Sequence, residues 1–348
     1  MTAALENLGS LVDPLLHREP VDIDGLADET LLKWFGSMVT IRLAEEAIAG
    51  IVESGEARCP CHLGIGQEAV AVGVAEHVQP TDRCFGAHRS HSHYLALGGG
   101  LDQLMAEVLG KVTGCSRGYG GSMHLRAPQV GLIGTVPIVA ATIPIATGAA
   151  LAAKLDGRGG IAVSFLGDGA TEEGVFHESL NLAASMSLPV LFVVENNLYS
   201  SHLHIDLRQP NDRVARFADA HAIETRVIDG NDVAIVSNVV GEFVEAMRVE
   251  PRPFLIEAVT YRWRGHVGHR EDMDVGVERT DNLGSWKQRD PIGRLEAPLL
   301  ARGLEGALAD IRDSVADQVG GALDFARSSE YPPVDDLLRT VYSNSERP

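Results

Sequence analysis

The stretch of chain from 167 to 197 constrains the fold more than any other part of the sequence. An apolar run at 161–166 has the pattern of a buried strand and ends in a Gly-Asp-Gly turn that contains Asp168. A helical pattern follows, and a second apolar run at 188–194 leads into an Asn-Asn pair whose second member is Asn197. Parallel strands present their carboxyl ends at one edge of a sheet, where open α/β sheets bind ligands. We therefore expect Asp168 and Asn197 to meet across one crevice.

The residue types at these strand ends suit a site for magnesium and a diphosphate. Carboxylate, amide and loop carbonyl oxygens are hard ligands of the kind that Mg²⁺ prefers. Gly167 and Gly169 would let backbone N–H groups at the start of the next helix approach a phosphate closely. The alternative is an ordinary strand–turn–helix unit in which Asp168 only caps the helix. The Asn-Asn pair at the end of the following strand favours the magnesium–diphosphate site.

Size and charge limit the possible classes of protein. The chain has 348 residues, of which 45% are hydrophobic, enough for one large or two modest globular domains. The formal net charge of −19 argues against a nucleic acid or an anionic membrane as partner. No stretch reaches the roughly 18 uninterrupted apolar residues that are typical of a membrane span. The N-terminal residues lack the basic and apolar pattern of a secretory signal, so we expect a cytoplasmic protein.

The cysteines and clustered histidines do not predict a zinc site. Four cysteines in a chain of this length are not a disulfide framework. The segment Cys59-Pro60-Cys61-His62 has no second paired-ligand cluster, so we interpret it as structural. Histidines also recur at 88, 91 and 93, but no cysteine or carboxylate lies close enough in sequence to complete a zinc site there.

Alternating helix and strand patterns predict an α/β fold with a doubly wound parallel sheet. The strand patterns are apolar throughout, as expected when helices cover both faces of a sheet. We divide the chain into an N-terminal arm at 1–26 and a single α/β domain at 27–348, which includes C-terminal helices and a tail. Loops are predicted at 87–93 and 114–121. The predicted strands are 161–166, 189–195, 224–228 and 253–260, and the predicted helices are 27–54, 66–78, 101–109, 142–155 (tightly packed and buried), 172–187, 232–249 and 292–328.

The two strand ends also carry a known signature. The Gly-Asp-Gly turn, the Asn-Asn pair about thirty residues later and the segment ENNLYS resemble the α subunits of two-subunit 2-oxo-acid and acetoin dehydrogenases, including pyruvate dehydrogenase E1 components. The resemblance implies a fold that binds thiamine diphosphate. It implies that Mg²⁺ is held by Asp168, Asn197 and the main-chain carbonyl of Tyr199. It also places Gly167, Gly169 and Ala170 at the cofactor.

A histidine-rich segment resembles two loops of this family. Ala87-His88-Arg89 is similar to the loop that supplies an arginine to the diphosphate, a group that guanidinium can pair with bidentately. Arg89 and His88 are therefore expected at the cofactor. The run from 88 to 93 resembles the family segment HRGHGH, with serines in place of its glycines. It implies that His91 faces the active-site funnel, and it leaves His93 without an assigned role.

Two further segments bring histidines that the resemblance places at the active site. His62 begins a match to HLxxGQEA and becomes a candidate proton donor or substrate contact, although a buried structural histidine is the alternative. His266 ends the segment YRWRGH, which resembles the family's phosphorylation loop, and it is our principal catalytic candidate. The family's regulatory serine is replaced by Val267, which excludes phosphorylation at that position. The role of His269, just beyond, is left open.

Two more segments would shape the cofactor cavity. The match of 120–124 to GGSMH places that turn beside the cavity. The segment around Val139 is similar to the family segment whose backbone binds the aminopyrimidine ring, so Val139 is expected at the cofactor. Pro137 stands where other members have glycine, and it keeps a carbonyl acceptor while lacking an N–H.

The sequence predicts only half of such an enzyme. The strand patterns suffice for one sheet, and no carboxylate can be assigned to the aminopyrimidine. The resemblance implies that a β subunit supplies a pyrimidine-binding domain and its glutamate, in a heterotetramer of two α and two β chains. A lipoyl acyltransferase is a further expected partner. The apolar tail at 337–342 would dock the partner or pack on its own domain.

Three functions remain open on the sequence. The first is the α subunit of an enzyme that decarboxylates a 2-oxo acid such as pyruvate, or cleaves acetoin, and passes the acyl group to a lipoyl carrier. The second is a two-subunit transferase that adds a two-carbon unit to a keto sugar. The third is a non-catalytic cofactor-binding regulatory subunit, against which the intact Asp168, Asn197 and Arg89 argue. The acyl acceptor and the substrate are not determined by these motifs.

Overall fold

Parallel strands form the central sheet of the molecule. The computed structural model of the protein describes residues 7–271 and 280–336. Its strands are β1 (Arg83–Gly86), β2 (Leu132–Thr135), β3 (Ala162–Gly167), β4 (Val190–Asn196), β5 (Tyr199–Ser200), β6 (Leu203–His204), β7 (Glu224–Asp229) and β8 (Phe254–Val259). Six of them form an all-parallel sheet in the order β2-β1-β3-β4-β8-β7, and β5 and β6 form a small antiparallel hairpin.

Helices cover both faces of this sheet. In the described part of the chain they are α1 (Asp28–Glu53), α2 (Glu68–Ala75), α3 (His91–Ala96), α4 (Leu101–Val108), α5 (Thr142–Asp156), α6 (Gly174–Ser185), α7 (Arg216–Asp219), α8 (Val233–Val249), α9 (Thr280–Trp286), α10 (Pro291–Ala301) and α11 (Glu305–Ser328). None of these helices is long and apolar enough to cross a membrane.

The side chains of each central strand alternate between two hydrophobic clusters. In β4, Leu191 and Val193 belong to the cluster that contains residues of α1, α2 and α8. Phe192 and Val194 belong to the opposite cluster, which contains residues of α5 and α6. The alternation follows from the pleat of a strand, which directs successive side chains to opposite faces. The fold is therefore the doubly wound α/β fold that the sequence predicts.

The strand order reverses between β1 and β3. The chain passes from β1 outward to β2, then returns to the other side of β1 to form β3 and continues outward to β4. Loops on the two sides of such a switch point diverge and leave a crevice at the carboxyl edge of the sheet. This crevice is where the loops that follow β1 and β3 lie side by side.

The observed elements differ from the predicted ones where segments are short. β1 and β2 were not predicted, because four-residue segments are too short to show a period. The end of the predicted loop 87–93 forms the start of α3, since His91 and Tyr94 are buried there. Helix α5 is buried on one face only, with Ile145 52% and Leu155 79% exposed, so the prediction of a tightly buried helix is wrong for its other face.

Part of the predicted N-terminal arm packs on the domain. Leu8, Val21 and Ile23 are buried, and a short 3-10 turn spans Gly9–Val12. Residues 1–6 and the apolar tail at 337–342 lie outside the described residues. The division into an arm at 1–26 and one domain at 27–348 stays a prediction.

We predict that Gly73→Ala destabilises the fold, because α2 packs closely on α8 at this glycine. A Cβ at Gly73 would lie 2.6 Å from Val236 Cγ1 and 3.0 Å from the backbone nitrogen of Ser237. Overpacking of this kind costs about 1–3 kcal/mol. Gly320→Ala in α11 is the matched control, since a Cβ there meets nothing within 4 Å. It should be neutral or stabilise by up to about 1 kcal/mol. Urea unfolding of both variants tests this, and equal stabilities would contradict it.

Candidate active site

A cavity of about 250 Å³ opens at the carboxyl edge of the sheet. Its walls come from the loops that follow β1, β2, β3, β4 and β8, together with the segment that precedes α2. All of the residues predicted for the site except His91 line it: His62, His88, Arg89, Val139, Gly167, Asp168, Gly169, Ala170, Asn197, Tyr199 and His266. The structure thus brings together segments that are up to about two hundred residues apart in the chain.

Asp168 is a buried carboxylate at the end of β3. Only 2% of the residue is exposed, and its charge is balanced by an ion pair with the Arg208 guanidinium. Burial raises the pKa of Asp168, although the Arg208 charge opposes this effect. Arg208 also contacts Glu172. Sequence reasoning missed Arg208, because nothing in the intervening 39 residues indicates that the loop after β6 folds back to β3.

Asn197 is oriented by hydrogen bonds on both sides of its amide. Its Nδ2 donates to Gln67 Oε1 at 3.2 Å, and its Oδ1 accepts from the Tyr199 backbone N–H at 3.3 Å. Gln67 also lines the cavity and had no role assigned from the sequence. Leu198, between Asn197 and Tyr199, has a left-handed backbone with φ of +68°. The strand therefore ends in a tight turn that holds Asn197 beside Tyr199.

The first asparagine of the pair has a structural task. Asn196 Nδ2 donates to Glu257 Oε1 at 2.7 Å, and its Oδ1 accepts from the Leu198 N–H. Glu257, fully buried in β8, also accepts from the backbone N–H groups of Val214 and Ala215. Burial raises the pKa of Glu257 to about 7. This carboxyl group connects the Asn-Asn turn to the loop that precedes α7.

The oxygen donors at the cavity fit a hard divalent cation. Asp168, Asn197 and Tyr199 line the same cavity, and carboxylate, amide and carbonyl oxygens are the donors such ions prefer. Gly169 allows the turn after β3 to pack against β5, because a Cβ there would lie 2.3 Å from Ser200 Oγ. At Gly167 a Cβ would meet nothing within 4 Å, so the chain leaves open space on the cavity side.

Three histidines from distant segments form one cluster in the cavity. The ring centroid of His62 lies 4.5 Å from that of His88 and 4.9 Å from that of His266. The ring centroids of His88 and His266 are 5.4 Å apart. Burial, reinforced by the neighbouring positive groups, lowers the pKa of His62 to about 2 and that of His88 to about 3. Both imidazoles are therefore neutral near pH 7. Among the described residues, His62 Nδ1 is buried without a hydrogen-bond partner.

Arg89 connects the loops that carry this histidine cluster. Its Nη1 donates to the Leu63 carbonyl at 2.5 Å and its Nη2 donates to the His266 carbonyl at 3.1 Å. The same side chain lines the cavity beside His88. A cationic group is thus present where the resemblance expects a diphosphate contact.

His91 does not face the cavity, contrary to our expectation. It is fully buried, with Nδ1 3.1 Å from Glu45 Oε2 and Nε2 2.8 Å from Ser122 Oγ. The reason is that His91 begins α3, which turns its side chain toward α1. His93 lines the cavity instead, stacked on Phe165 at 3.9 Å between ring centroids. Its Nε2 lies 3.2 Å from a Glu195 oxygen without hydrogen-bond geometry.

The predicted cavity-shaping segments lie at the cavity rim. Met123, within the GGSMH match, and Val139 both line the cavity, and Val139 is 48% exposed. The glycine-rich loop is organised by Glu107, a fully buried residue that sequence reasoning missed. Its carboxylate accepts hydrogen bonds from four backbone N–H groups, those of Ser116, Gly118, Gly120 and Gly121.

Comparison with known proteins identifies the family of this chain. The family described as "Dehydrogenase E1 component" matches residues 36–335. The α subunit of acetoin:2,6-dichlorophenolindophenol oxidoreductase from Bacillus subtilis (strain 168) is 36% identical over 334 residues, which are 96% of this chain and 98% of that protein. The pyruvate dehydrogenase E1 component subunit alpha of Rickettsia bellii is 33% identical and covers 90% of this chain and 96% of its own length. The chloroplastic subunit alpha-3 of pyruvate dehydrogenase E1 from Oryza sativa subsp. japonica is 36% identical over 91% of this chain and 76% of its own length.

We predict that the stability contributed by His62 and His88 is lost as pH falls below about 6.5, the ordinary histidine pKa. The folded-state pKa values of His62 and His88 lie below that value, so the unfolded chain binds protons that the folded chain does not. Stability from these groups is therefore complete above pH about 6.5 and declines below it. Urea unfolding at pH 7.5 and 5.5 should show a smaller difference for His62→Gln than for wild type. His221→Gln, which lies outside the cavity, is the control. An unchanged difference in His62→Gln would contradict the assignment.

Proposed function

The chain belongs to the dehydrogenase E1 component family, and we propose that it is the α subunit of a thiamine-diphosphate-dependent enzyme that decarboxylates a 2-oxo acid or cleaves acetoin. The main support is a single observation. A set of hard oxygen donors and a cluster of three histidines share one cavity at the switch point of a parallel sheet. The relatives named for acetoin and pyruvate oxidation support the reaction class.

Asp168, Asn197 and the Tyr199 carbonyl would hold Mg²⁺, with Arg89 and the turn from Gly167 to Ala170 at the diphosphate. Arg208 forms an ion pair with Asp168, and a bound cation would share in balancing the charge of this carboxylate. When bound, thiamine diphosphate supplies a carbanion that can attack a carbonyl group. The protein's task is to position the substrate and to move protons beside it.

The histidine cluster is suited to that task. His62 and His88 are neutral near pH 7 because burial lowers their pKa values, so each can donate one hydrogen bond and accept another. The His266 ring contacts the rings of His62 and His88. Arg89 hydrogen-bonds the carbonyls of His266 and Leu63 and so links their two loops. We assign His266 as the principal proton-transfer group and His62 as a substrate contact. His91, which lies outside the cavity, becomes a positioning residue.

Asp168→Ala and Asn197→Ala should each abolish Mg²⁺-dependent binding of thiamine diphosphate while the fold survives. Loss of a hard-cation ligand should weaken binding at least about tenfold, or ~1.4 kcal/mol. Calorimetry on the reconstituted complex measures the affinity, and circular dichroism checks the fold. Asp206→Ala removes an exposed carboxylate from the loop after β6 and is the control. Unchanged affinity in either site variant would end the metal assignment.

His266→Ala should keep its affinity for the cofactor and lose turnover by roughly 10²–10⁴, the usual contribution of a positioned acid–base group. The reason is that the imidazole acts on the substrate after the cofactor is in place. Calorimetry and steady-state kinetics on the same complex separate the two effects. Lower affinity together with a normal residual rate would make His266 a structural residue of its loop.

The chain's own surface supports the need for a β subunit. The described residues contain one parallel sheet, and the α-subunit names of the relatives imply a second chain. Ile138 and Val139 at the cavity rim are 69% and 48% exposed, and Ile145 on the adjacent helix is 52% exposed. An apolar rim around a polar cavity is expected where a partner completes the site. We propose a heterotetramer of two α and two β chains, with the aminopyrimidine glutamate on the partner.

The purified chain should therefore be catalytically silent and gain activity only with its β subunit. The test is an assay of pyruvate and acetoin with dichlorophenolindophenol as electron acceptor, for the chain alone and after co-expression with the partner. Turnover by the partner-free chain would refute the half-enzyme proposal.

We propose a lipoyl carrier as the acyl acceptor and the cytoplasm as the location. The relatives that match over most of the chain support the dehydrogenase reaction, whereas nothing in the comparisons supports transfer to a keto sugar. The four cysteines are all reduced, as suits a reducing compartment. The acceptor is tested by giving the complex pyruvate with a lipoylated domain, and separately with a keto sugar. Acylation of the sugar alone would reverse the assignment.

A further inference from the structure

Two cysteines with no role in the proposed reaction lie directly beside the histidine cluster. Cys59 and Cys61 are both reduced, and their sulfur atoms are 3.9 Å apart. Cys61 is buried, whereas Cys59 is half-buried next to the exposed Pro60. A partly exposed thiol with a second thiol in contact is the arrangement that peroxide-sensing proteins use.

The surroundings of the pair favour a thiolate on Cys59. The contact with the Cys61 sulfur lowers the pKa of Cys59; burial opposes this effect, whereas Ser122 and His91 add to it. Burial opposes the charged form of His91, but the Glu45 carboxylate raises the pKa of His91 overall. Hydrogen bonds connect Glu45 to the cysteine pair: Glu45 pairs with His91, and His91 pairs with Ser122. Ser122 in turn lies beside both sulfur atoms. The buried His91 thus has a place in the molecule that the cavity does not explain.

The cysteine pair is mechanically connected to the cavity. The Cys61 carbonyl accepts the Gly268 N–H at 2.8 Å, and Gly268 belongs to the loop that carries His266. His62 is the next residue after Cys61, and its ring is 4.9 Å from that of His266. A movement of the Cys61 backbone would therefore displace both histidines of the cluster.

We propose that Cys59 and Cys61 are a peroxide-sensitive modification site whose oxidation to a disulfide switches off the adjacent cavity. The Cys59 thiolate attacks one peroxide oxygen, the O–O bond breaks, and a sulfenic acid forms while hydroxide leaves and takes up a proton. The Cys61 sulfur then displaces the sulfenic oxygen, which leaves as water, and the S–S bond forms. In total two thiols and one peroxide give one disulfide and two waters, so the sulfurs lose two electrons and the peroxide gains them.

To close this bond the sulfur atoms have to approach from 3.9 Å to about 2.05 Å. Because only Pro60 separates the two residues, we expect side-chain rotation to be accompanied by a shift of the backbone at Cys61. Such a shift would alter the contact of the Cys61 carbonyl with Gly268. The loss of turnover rests on the proposed function, but the thiol chemistry does not.

The test uses the complex of the full chain with its β subunit. The reduced complex is treated with a small excess of hydrogen peroxide, remaining thiols are alkylated, and the tryptic peptides are analysed by mass spectrometry. Cleavage after Arg58 and Arg83 gives one peptide that contains both cysteines of the pair and neither of the others. Turnover is measured on the same samples, before and after dithiothreitol.

We expect the wild-type peptide to carry an internal disulfide and turnover to fall at least about tenfold, in line with displaced acid–base groups. Dithiothreitol should restore both. Cys61→Ala should have normal resting turnover and accumulate a sulfenic acid at Cys59 that dimedone traps. Cys59→Ala should resist peroxide, and Cys115→Ala, a half-buried cysteine outside the pair, should behave as wild type.

Two results would overturn the proposal. One is that both thiols of the pair stay open to alkylation while turnover falls, and the other is that the disulfide forms without a change in turnover. A complex that forms the disulfide but never acts on pyruvate or acetoin would count against the proposed function instead. The two ideas therefore fail in distinguishable ways.

Discussion

The parallel pairing of β3 with β4 is the constraint on which the site depends. Leu166 pairs with Val194 and Gly167 with Glu195, so both strands end at the same level of the sheet. Asp168 and Asn197 follow these strand ends within two residues. The strand pairing alone therefore places both residues at one edge of the sheet, and no contact between their side chains is needed. A slip of one residue in this register would turn every side chain of β4 to the opposite face and remove the alignment.

Charge compensation is the second condition that the site satisfies. A carboxylate as buried as Asp168 is costly unless it is paired, and Arg208 provides a pairing. Glu107 is satisfied by four backbone N–H groups, and Glu257 by an amide and two backbone N–H groups. These two buried acids fix loops, and neither of them lines the cavity.

The sequence predicted those parts of the molecule that are specified by local pattern. Long periodic helices, the strands β3, β4, β7 and β8 and the turn at Asp168 were all recognisable, and the doubly wound sheet is confirmed. β1 was too short to recognise, although it carries the loop with His88. The prediction that His91 faces the cavity was wrong, and the contact of Arg208 with Asp168 was missed, for one reason. The direction of a side chain, or a contact across about forty residues, is set by packing and leaves no trace in spacing.

The central claim is that one edge of the sheet binds a divalent cation and a diphosphate through Asp168 and Asn197. A crystal structure of the complex with thiamine diphosphate and Mn²⁺ in place of Mg²⁺ tests it most directly, because the anomalous signal locates the ion. The account predicts one peak within about 2.3 Å of oxygens from Asp168, Asn197 and Tyr199, with Arg208 displaced. A peak at the cluster of His62, His88 and His266, whose ligand atoms lie within 4.8 Å of one another, would contradict it.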